Sequence, residues 1–390
     1  MDMYISILGR QPDIGLAELR RVYGEANLFS QTSAIVETDN FDIDRLGGTL
    51  KAGLVVAEFE GDIKKAYQKI AAYYIDLWSS VDYKITLGIS AYNIKSSKSD
   101  IQKLGMKIKK QLKEKNVSLR LIPNSYTALS TATSHNNKLG LSKNKVEIII
   151  VQGRDGKIIV AESIGSQNIT AYAKRDQNRP KRDAFVGMLP PKLAQIIVNL
   201  AVGQNKPSLG FKVLDPFCGT GVILQEADLM GYGICGSDLS EKMIDYTKEN
   251  LEWLSNTHKK SNLNVNGIWL KPGDAVDTKW PKFNAVAAET YLGRPFSAPP
   301  SEKSLKDVSG TCEQIADGFL KNVSGQLESG EELCIAVPAW RQANGNFHFL
   351  NIVPAFTKYG FERIFVSDRP LLYFREDQVV ARHLYILKKK

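Results

Sequence analysis

Cysteine is scarce in this chain. Only Cys218, Cys235, Cys312 and Cys334 occur among 390 residues, all in the C-terminal half and none in a C-x-x-C pair. That spacing excludes a disulfide framework and suits a reducing compartment. Cys235 and Cys334 stand inside apolar runs, where a free thiol packs as a small hydrophobe. The histidines, His135, His258, His348 and His383, are scattered, so no spacing points to a metal site. No apolar run approaches the roughly 20 residues of a membrane span. The N-terminus lacks a charged segment followed by an apolar one. Internal repeats and low-complexity tracts are missing as well. The expectation is a cytoplasmic protein that uses neither membrane nor metal.

The chain does hold 43% hydrophobic residues, enough over 390 positions for two or three domains with real cores. Its formal net charge is +9, with a pI of about 9.1. A basic balance favours a polyanionic partner, nucleic acid first.

The stretch Val213-Leu214-Asp215-Pro216-Phe217-Cys218-Gly219-Thr220-Gly221 organises the rest. Phe211 to Leu214 reads as a buried parallel strand that Asp215 and Pro216 end. Gly219 and Gly221 permit a tight turn, and Val222, Ile223, Leu224, Ala227 and Met230 recur at helical spacing. Strand, glycine turn and helix start together form a platform for a polar cofactor. Gly233 to Asp238 reads as a second strand ending in a carboxylate, at the offset where an acid meets ribose hydroxyls. A nicotinamide enzyme would show G-x-G-x-x-G; here the acid precedes the glycines, which suits an ammonium group.

In these motifs the chain resembles the Rossmann-like methyltransferases, and more narrowly the THUMP-containing tRNA guanine N2-methyltransferases that modify guanosine 10. The resemblance runs along nearly the whole chain. It implies an α/β protein with a mostly parallel methyltransferase sheet, an antiparallel C-terminal hairpin at its edge, and ferredoxin-like and THUMP α+β modules ahead of it. The domains implied are 1–60 (ferredoxin-like), 61–166 (THUMP-like), 167–186 (linker) and 187–390 (methyltransferase).

In the first module, Met3–Gly9, Ser33–Glu37 and Leu54–Glu58 read as strands and Leu16–Tyr23 as a helix. Leu46 to Lys51 reads as a turn and a short helix, with Gly47-Gly48 as simple turn chemistry. In the second, a helix over Ser99–Lys115 buries Ile101, Leu104, Ile108 and Leu112 and carries Lys103, Lys107, Lys109, Lys110, Lys113 and Lys115 outside, with Arg120 just beyond. Lysines in such a row position a phosphate backbone without reading bases. RNA is therefore the expected ligand of Lys103, Lys107, Lys110, Lys113 and Arg120; the alternative is an ordinary solvated face. The connector from Gln167 to Pro191 is charged and poorly periodic, so it reads as mostly extended. Its Arg-Asp pairs either touch RNA or tie the segment to the catalytic domain.

The expected core strands are Phe211–Leu214, Gly233–Ser237, Gly267–Lys271, Ala285–Ala288 and Leu333–Val337, with a hairpin of Arg363–Val366 and His383–Lys388. By the resemblance, S-adenosylmethionine would be held by Asp215, Phe217, Gly219, Gly221, Asp238, Asp274 and Ala275. Asp215 would accept from its ammonium, amides of the glycine turn would meet its carboxylate, Asp238 would take the ribose and Asp274 the adenine amine. The segment opening with Gly187-Met188-Leu189 would close over its methionine end.

Glu289-Thr290-Tyr291-Leu292-Gly293 stands where amine methyltransferases commonly carry D-P-P-Y or N-P-P-Y. An exocyclic amine is a weak nucleophile because its lone pair is delocalised into the ring. Accepting its hydrogens directs that lone pair, and an aromatic ring stacks on the base. Glu289 is the expected acceptor and Tyr291 the expected ring. The alternative is a strand-capping acid beside a packed tyrosine. Substrate alternatives are ribosomal RNA, or RNA binding without turnover. The need for a small activating protein subunit stays open.

Overall fold

The computed structural model describes residues 1–183, 189–258, 261 and 263–390. The end of the expected linker, 184–186, and the Gly187-Met188 opening of the next segment lie outside the described residues. Contacts group the chain into two units, Met1–Leu19 with Tyr23–Ala171, and Arg20–Val22 with Tyr172–Lys390.

The first unit is built on one eight-stranded sheet. Its strands are β1 (Asp2–Leu8), β2 (Asn27–Leu28), β3 (Ser33–Thr38), β4 (Thr49–Phe59), β5 (Ile85–Tyr92), β6 (Leu119–Leu121), β7 (Lys145–Gln152) and β8 (Ile158–Ser166). Their order is β2-β3-β1-β4-β8-β7-β5-β6. Helices are α1 (Pro12–Tyr23), α2 (Ile63–Leu77), α3 (Lys98–Glu114) and α4 (Thr131–Asn136). Because β4 pairs with β1 on one side and β8 on the other, the segments before and after residue 60 share this sheet.

The short helix expected near residue 50 is instead the start of β4. Gly48 is closely packed rather than merely turning: a Cβ there would stand 2.7 Å from the Gly15 Cα. The Gly47 and Gly48 amides both donate to the Glu18 carboxylate, at 2.9 and 2.8 Å. Lys51 then points into the interior, where it is paired with Glu147 of β7 and donates to the Leu129 carbonyl at 2.8 Å. A lysine whose partner is remote in sequence imitates an exposed position, which is why the strand was hidden.

The second unit opens at Tyr172, within α5 (Ile169–Gln177), so this part of the connector is helical rather than extended. Its inward face holds Tyr172 and Arg175, three residues apart. Arg175 forms a two-pronged pair with Glu226, Nε to Oε1 at 2.6 Å and Nη2 to Oε2 at 3.1 Å. For Arg175 this favours the ion-pair reading of the connector over an RNA contact. Then come α6 (Pro191–Val202), β9 (Lys212–Asp215), α7 (Val222–Leu229), β10 (Gly233–Asp238), α8 (Glu241–Thr257), β11 (Leu270–Pro272) and β12 (Ala285–Glu289). They are followed by α9 (Glu302–Ser324), β13 (Glu332–Arg341), β14 (Phe347–Phe349), α10 (Val353–Lys358), β15 (Phe361–Arg363), β16 (Leu371–Tyr373) and β17 (Val380–Lys389).

The main path of this sheet runs β11-β10-β9-β12-β13-β17-β15. From β11 to β13 all neighbours are parallel, and β17 enters antiparallel between β13 and β15. This is the α/β sheet of a Rossmann-like methyltransferase, with its antiparallel hairpin at one edge. β11 begins later than expected because Val265–Gly267 forms a 3₁₀ turn. The core lies between the sheet and α9, whose Leu305, Val308, Cys312, Ala316, Phe319, Leu320 and Val323 are buried against Leu214, Val286, Ile335 and Val337. Those seven positions follow helical spacing.

Candidate active site

β9 is short and buried, with Val213 and Leu214 fully out of solvent. Parallel strands covered on both faces read as unbroken apolar runs, and they deliver their C-terminal ends to one crevice. At that end the chain reverses through Gly219 (φ 52°) and Gly221 (φ 80°), both in the left-handed region. A Cβ on Gly221 would also lie 2.9 Å from the Thr247 methyl. Thr247 Oγ1 donates to the Gly219 carbonyl at 2.8 Å and Asn250 Nδ2 to the Thr220 carbonyl at 2.8 Å, so α8 holds the turn from behind. Asn250 Nδ2 also donates to the Lys181 carbonyl at 3.0 Å, and the Lys181 amide returns a bond to Asn250 Oδ1 at 2.9 Å.

Within the turn, the Phe217 amide donates to Asp215 Oδ1 at 3.1 Å. The Gly219 amide donates to Asp238 Oδ2 at 2.9 Å and the Ser240 amide to Asp238 Oδ1 at 2.9 Å. The Gly221 amide donates to the Cys218 carbonyl at 2.7 Å. Both glycine amides therefore have acceptors within the protein.

A cavity of about 930 Å³ opens over these strand ends. It brings together Asp215, Phe217, Gly219, Asp238, Asp274, Ala275, Glu289 and Tyr291. Gly221 is set apart from them: it is the N-cap of α7 and does not line the cavity. Leu189, from the segment expected to close over the cofactor, also lines it, and so do Asp183, Lys242, Gln314 and Ile315, which no local motif marks. Lys242 Nζ donates to Asp183 Oδ2 at 3.1 Å. Gln314 and Ile315 arrive on α9, whose helical spacing was the available signal.

The acids are costly to bury. Desolvation pushes the Asp215 carboxyl well above the usual carboxylate range; the Phe217 amide offsets this in part, and the charges of Asp238 and Glu289 add to the rise. Asp238 is raised too, again by desolvation first, against the stabilising amides of Ser240 and Gly219. Such a cluster favours a cationic occupant, whose charge offsets the burial of the carboxylates and the repulsion among them. Among the described residues no group of three metal-ligating side chains comes together, and no helix is long and apolar enough to cross a membrane.

Glu289 ends β12 and lines the cavity. Arg382 of β17 donates from Nε to Glu289 Oε1 at 2.7 Å, with both side chains largely buried. Beyond Glu289 the chain is fixed without prolines. The Thr290 amide donates to the Ala336 carbonyl at 3.0 Å. Gly293 turns at φ 80°, where a Cβ would be 2.4 Å from a Val308 methyl. Tyr291, between these anchors, is 47% exposed, so its ring is offered to the cavity mouth rather than packed away. In the first unit, Lys103, Lys107, Lys110 and Lys113 are exposed on α3, and Arg120 is exposed on β6. The first three form one stripe at helical spacing.

Sheet order, glycine turn and acid-lined crevice define a Rossmann-like methyltransferase. Residues 179–269 match the family described as UPF0020, RMKL-like, methyltransferase domain. The chain is 31% identical over 166 residues to the tRNA (guanine(10)-N2)-dimethyltransferase of Methanothermobacter thermautotrophicus, covering 42% of this chain and 43% of that protein. It is 39% identical over 124 residues to the probable tRNA (guanine(10)-N2)-dimethyltransferase of Methanothermococcus thermolithotrophicus, covering 32% of this chain and 68% of that one. The chain belongs to the tRNA guanine N2-methyltransferase family. With the first relatives it shares less than half their length, 43%, 32% and 32%. Among solved structures, TrmN from Thermus thermophilus superposes with a TM-score of 0.50 at 15% identity over 100% of both chains, a likeness of fold.

Proposed function

We propose that this chain transfers a methyl group from S-adenosylmethionine to the exocyclic N2 amine of a guanine in tRNA, guanosine 10 on the names of its relatives. The observation that carries this reading is the convergence of Asp215, Asp238, Asp274 and Glu289 on one cavity at the strand ends. The residues fit the cofactor. Asp215 offers a buried carboxylate to its ammonium, Asp238 and Asp274 offer acceptors for ribose and adenine, and Phe217 and Ala275 supply apolar walls. Bound there, S-adenosylmethionine supplies an electrophilic methyl on a sulfonium.

The protein's part is mainly orientation. Glu289 accepts a hydrogen of the target amine and turns its lone pair towards the cavity. Tyr291 stacks on the base once it leaves its helix. Cofactor and base together would displace water from the cavity, which strengthens each of these contacts. The first unit, read as ferredoxin-like and THUMP-like modules, holds the RNA by phosphates along Lys103, Lys107, Lys110, Lys113 and Arg120. A small activating subunit rests on the resemblance alone.

The test is transfer of a labelled methyl group to bulk tRNA, followed by nucleoside analysis. Label in N2-methylguanosine or N2,N2-dimethylguanosine supports the reading. Cofactor binding with no transfer would point instead to an RNA-binding protein, and label on ribosomal RNA alone would move the substrate.

A further inference from the structure

Glu289 and Arg382 are 93 positions apart and two strands apart in the sheet. In register, Glu289 of β12 stands beside Ala336 of β13, and Pro338 of β13 stands beside Arg382 of β17. Residues 336 and 338 point to the same face, so all four side chains share it. Arg382 must reach across a whole strand to meet the carboxylate. It can because the intervening side chains, Ala336 and Pro338, are small. The reach ends in a donor bond from Nε to Oε1 at 2.7 Å. Among the described residues nothing donates to Oε2, and Glu289 lines the cavity whereas Arg382 does not.

We infer that Arg382 is a positioning residue for the reaction: by holding Oε1 it fixes the Glu289 carboxylate so that Oε2 is presented to the target amine. This rests on the function proposed above. The physical reasoning is that a glutamate side chain is one methylene longer than the aspartate or asparagine commonly found here. It has a further rotatable bond that would let the carboxylate wander or fold towards solvent. A lateral charge-assisted bond removes that freedom, since such bonds are short and directional. A buried ion pair is a weak source of net stability, and the consequence drawn from this one is the geometry it imposes on the carboxylate.

The measurement is a double-mutant cycle of single-turnover methyl transfer, with titrations of S-adenosylmethionine and tRNA on each chain. Arg382→Gln should slow transfer by about ten- to a hundredfold, the scale of an ångström-sized misplacement. Both ligand affinities should stay near parental. In a Glu289→Gln background the same substitution should cost almost nothing, and Arg382→Lys, which retains a cation at the end of a flexible stem, should recover part of the rate. Equal loss in both backgrounds, or no loss in the parent, would overturn the inference. If Arg382→Gln melts before assay, the lysine chain decides alone: slowing confined to the Glu289 background supports positioning, and equal slowing in both overturns it. Failure of the wider reading is distinguishable, because the parent chain would then transfer no methyl to tRNA at all, whereas failure of the Glu289 assignment alone would leave Glu289→Gln transferring at the parental rate.

Discussion

Asp238 ties two strands of the site together: its Oδ2 accepts the Gly219 amide at 2.9 Å while its Oδ1 accepts the Ser240 amide at the same distance. One carboxylate therefore shapes the glycine turn and the entry to α8 while lining the cavity. Asp238→Ala should weaken S-adenosylmethionine binding by about ten- to a hundredfold, the cost of stranding buried hydrogen-bonding groups. Calorimetric titration checks this, and an unchanged affinity would remove Asp238 from the site.

Asp215 gives a pH signature in the ligand-free protein. Its folded carboxyl lies well above the ordinary value of 3.8, so between the two values the folded state holds a proton that the unfolded chain has lost. Its contribution to stability is complete below 3.8 and is lost as pH rises through the folded value. Asp215→Asn should therefore melt higher than the parent at pH 8, by about 2–4 °C for roughly 1 kcal/mol, and close to it at pH 4. It should also bind S-adenosylmethionine less well. A melting difference that does not change with pH would contradict this burial account.

The lysine face of α3 makes a quantitative statement about salt. Neutralising Lys107, Lys110 and Lys113 together should weaken tRNA binding and reduce the slope of log K against log salt by about 2 to 3, near one released counterion per lost contact. Filter binding across a salt series reads this directly. An unaltered slope would mean that the face is only solvated.

Glu289 and Tyr291 should fail differently. Glu289→Gln keeps size but loses charge, and single-turnover transfer should fall by about one to three decades with cofactor affinity unchanged. Tyr291→Ala should loosen the base by about 1–3 kcal/mol, the cost of a lost stack. It should show as weaker RNA engagement at an intact S-adenosylmethionine affinity. Parental rates for both would leave the loop structural.

The sequence revealed what local pattern controls. The short apolar strands of the parallel sheet, the glycine turn and the acids after three successive strands could all be placed because each signal is complete within a few residues. Features closed by remote partners could not. Leu46 to Lys51 reads as a turn and a short helix until Lys51 is seen paired with Glu147 in the interior, and the charged connector reads as extended until Glu226 meets Arg175. Arg382 sits in a strand with nothing local to mark it, and only the sheet order brings it to Glu289. Gly293 stands in for the missing prolines through its seat on Val308, a contact that the loop sequence does not contain.

The central claim is that the exocyclic amine of a guanine is the group methylated at this cavity. It is tested most directly with two tRNA transcripts, one carrying guanosine and one inosine at position 10, the position named for the relatives. Inosine keeps the ring, its stacking surface and the rest of the base edge but lacks the N2 amine. Under single-turnover conditions, the account predicts labelled N2-methylguanosine from the first transcript and no transfer to the second, with both transcripts bound alike. Undiminished transfer to the inosine transcript would contradict it.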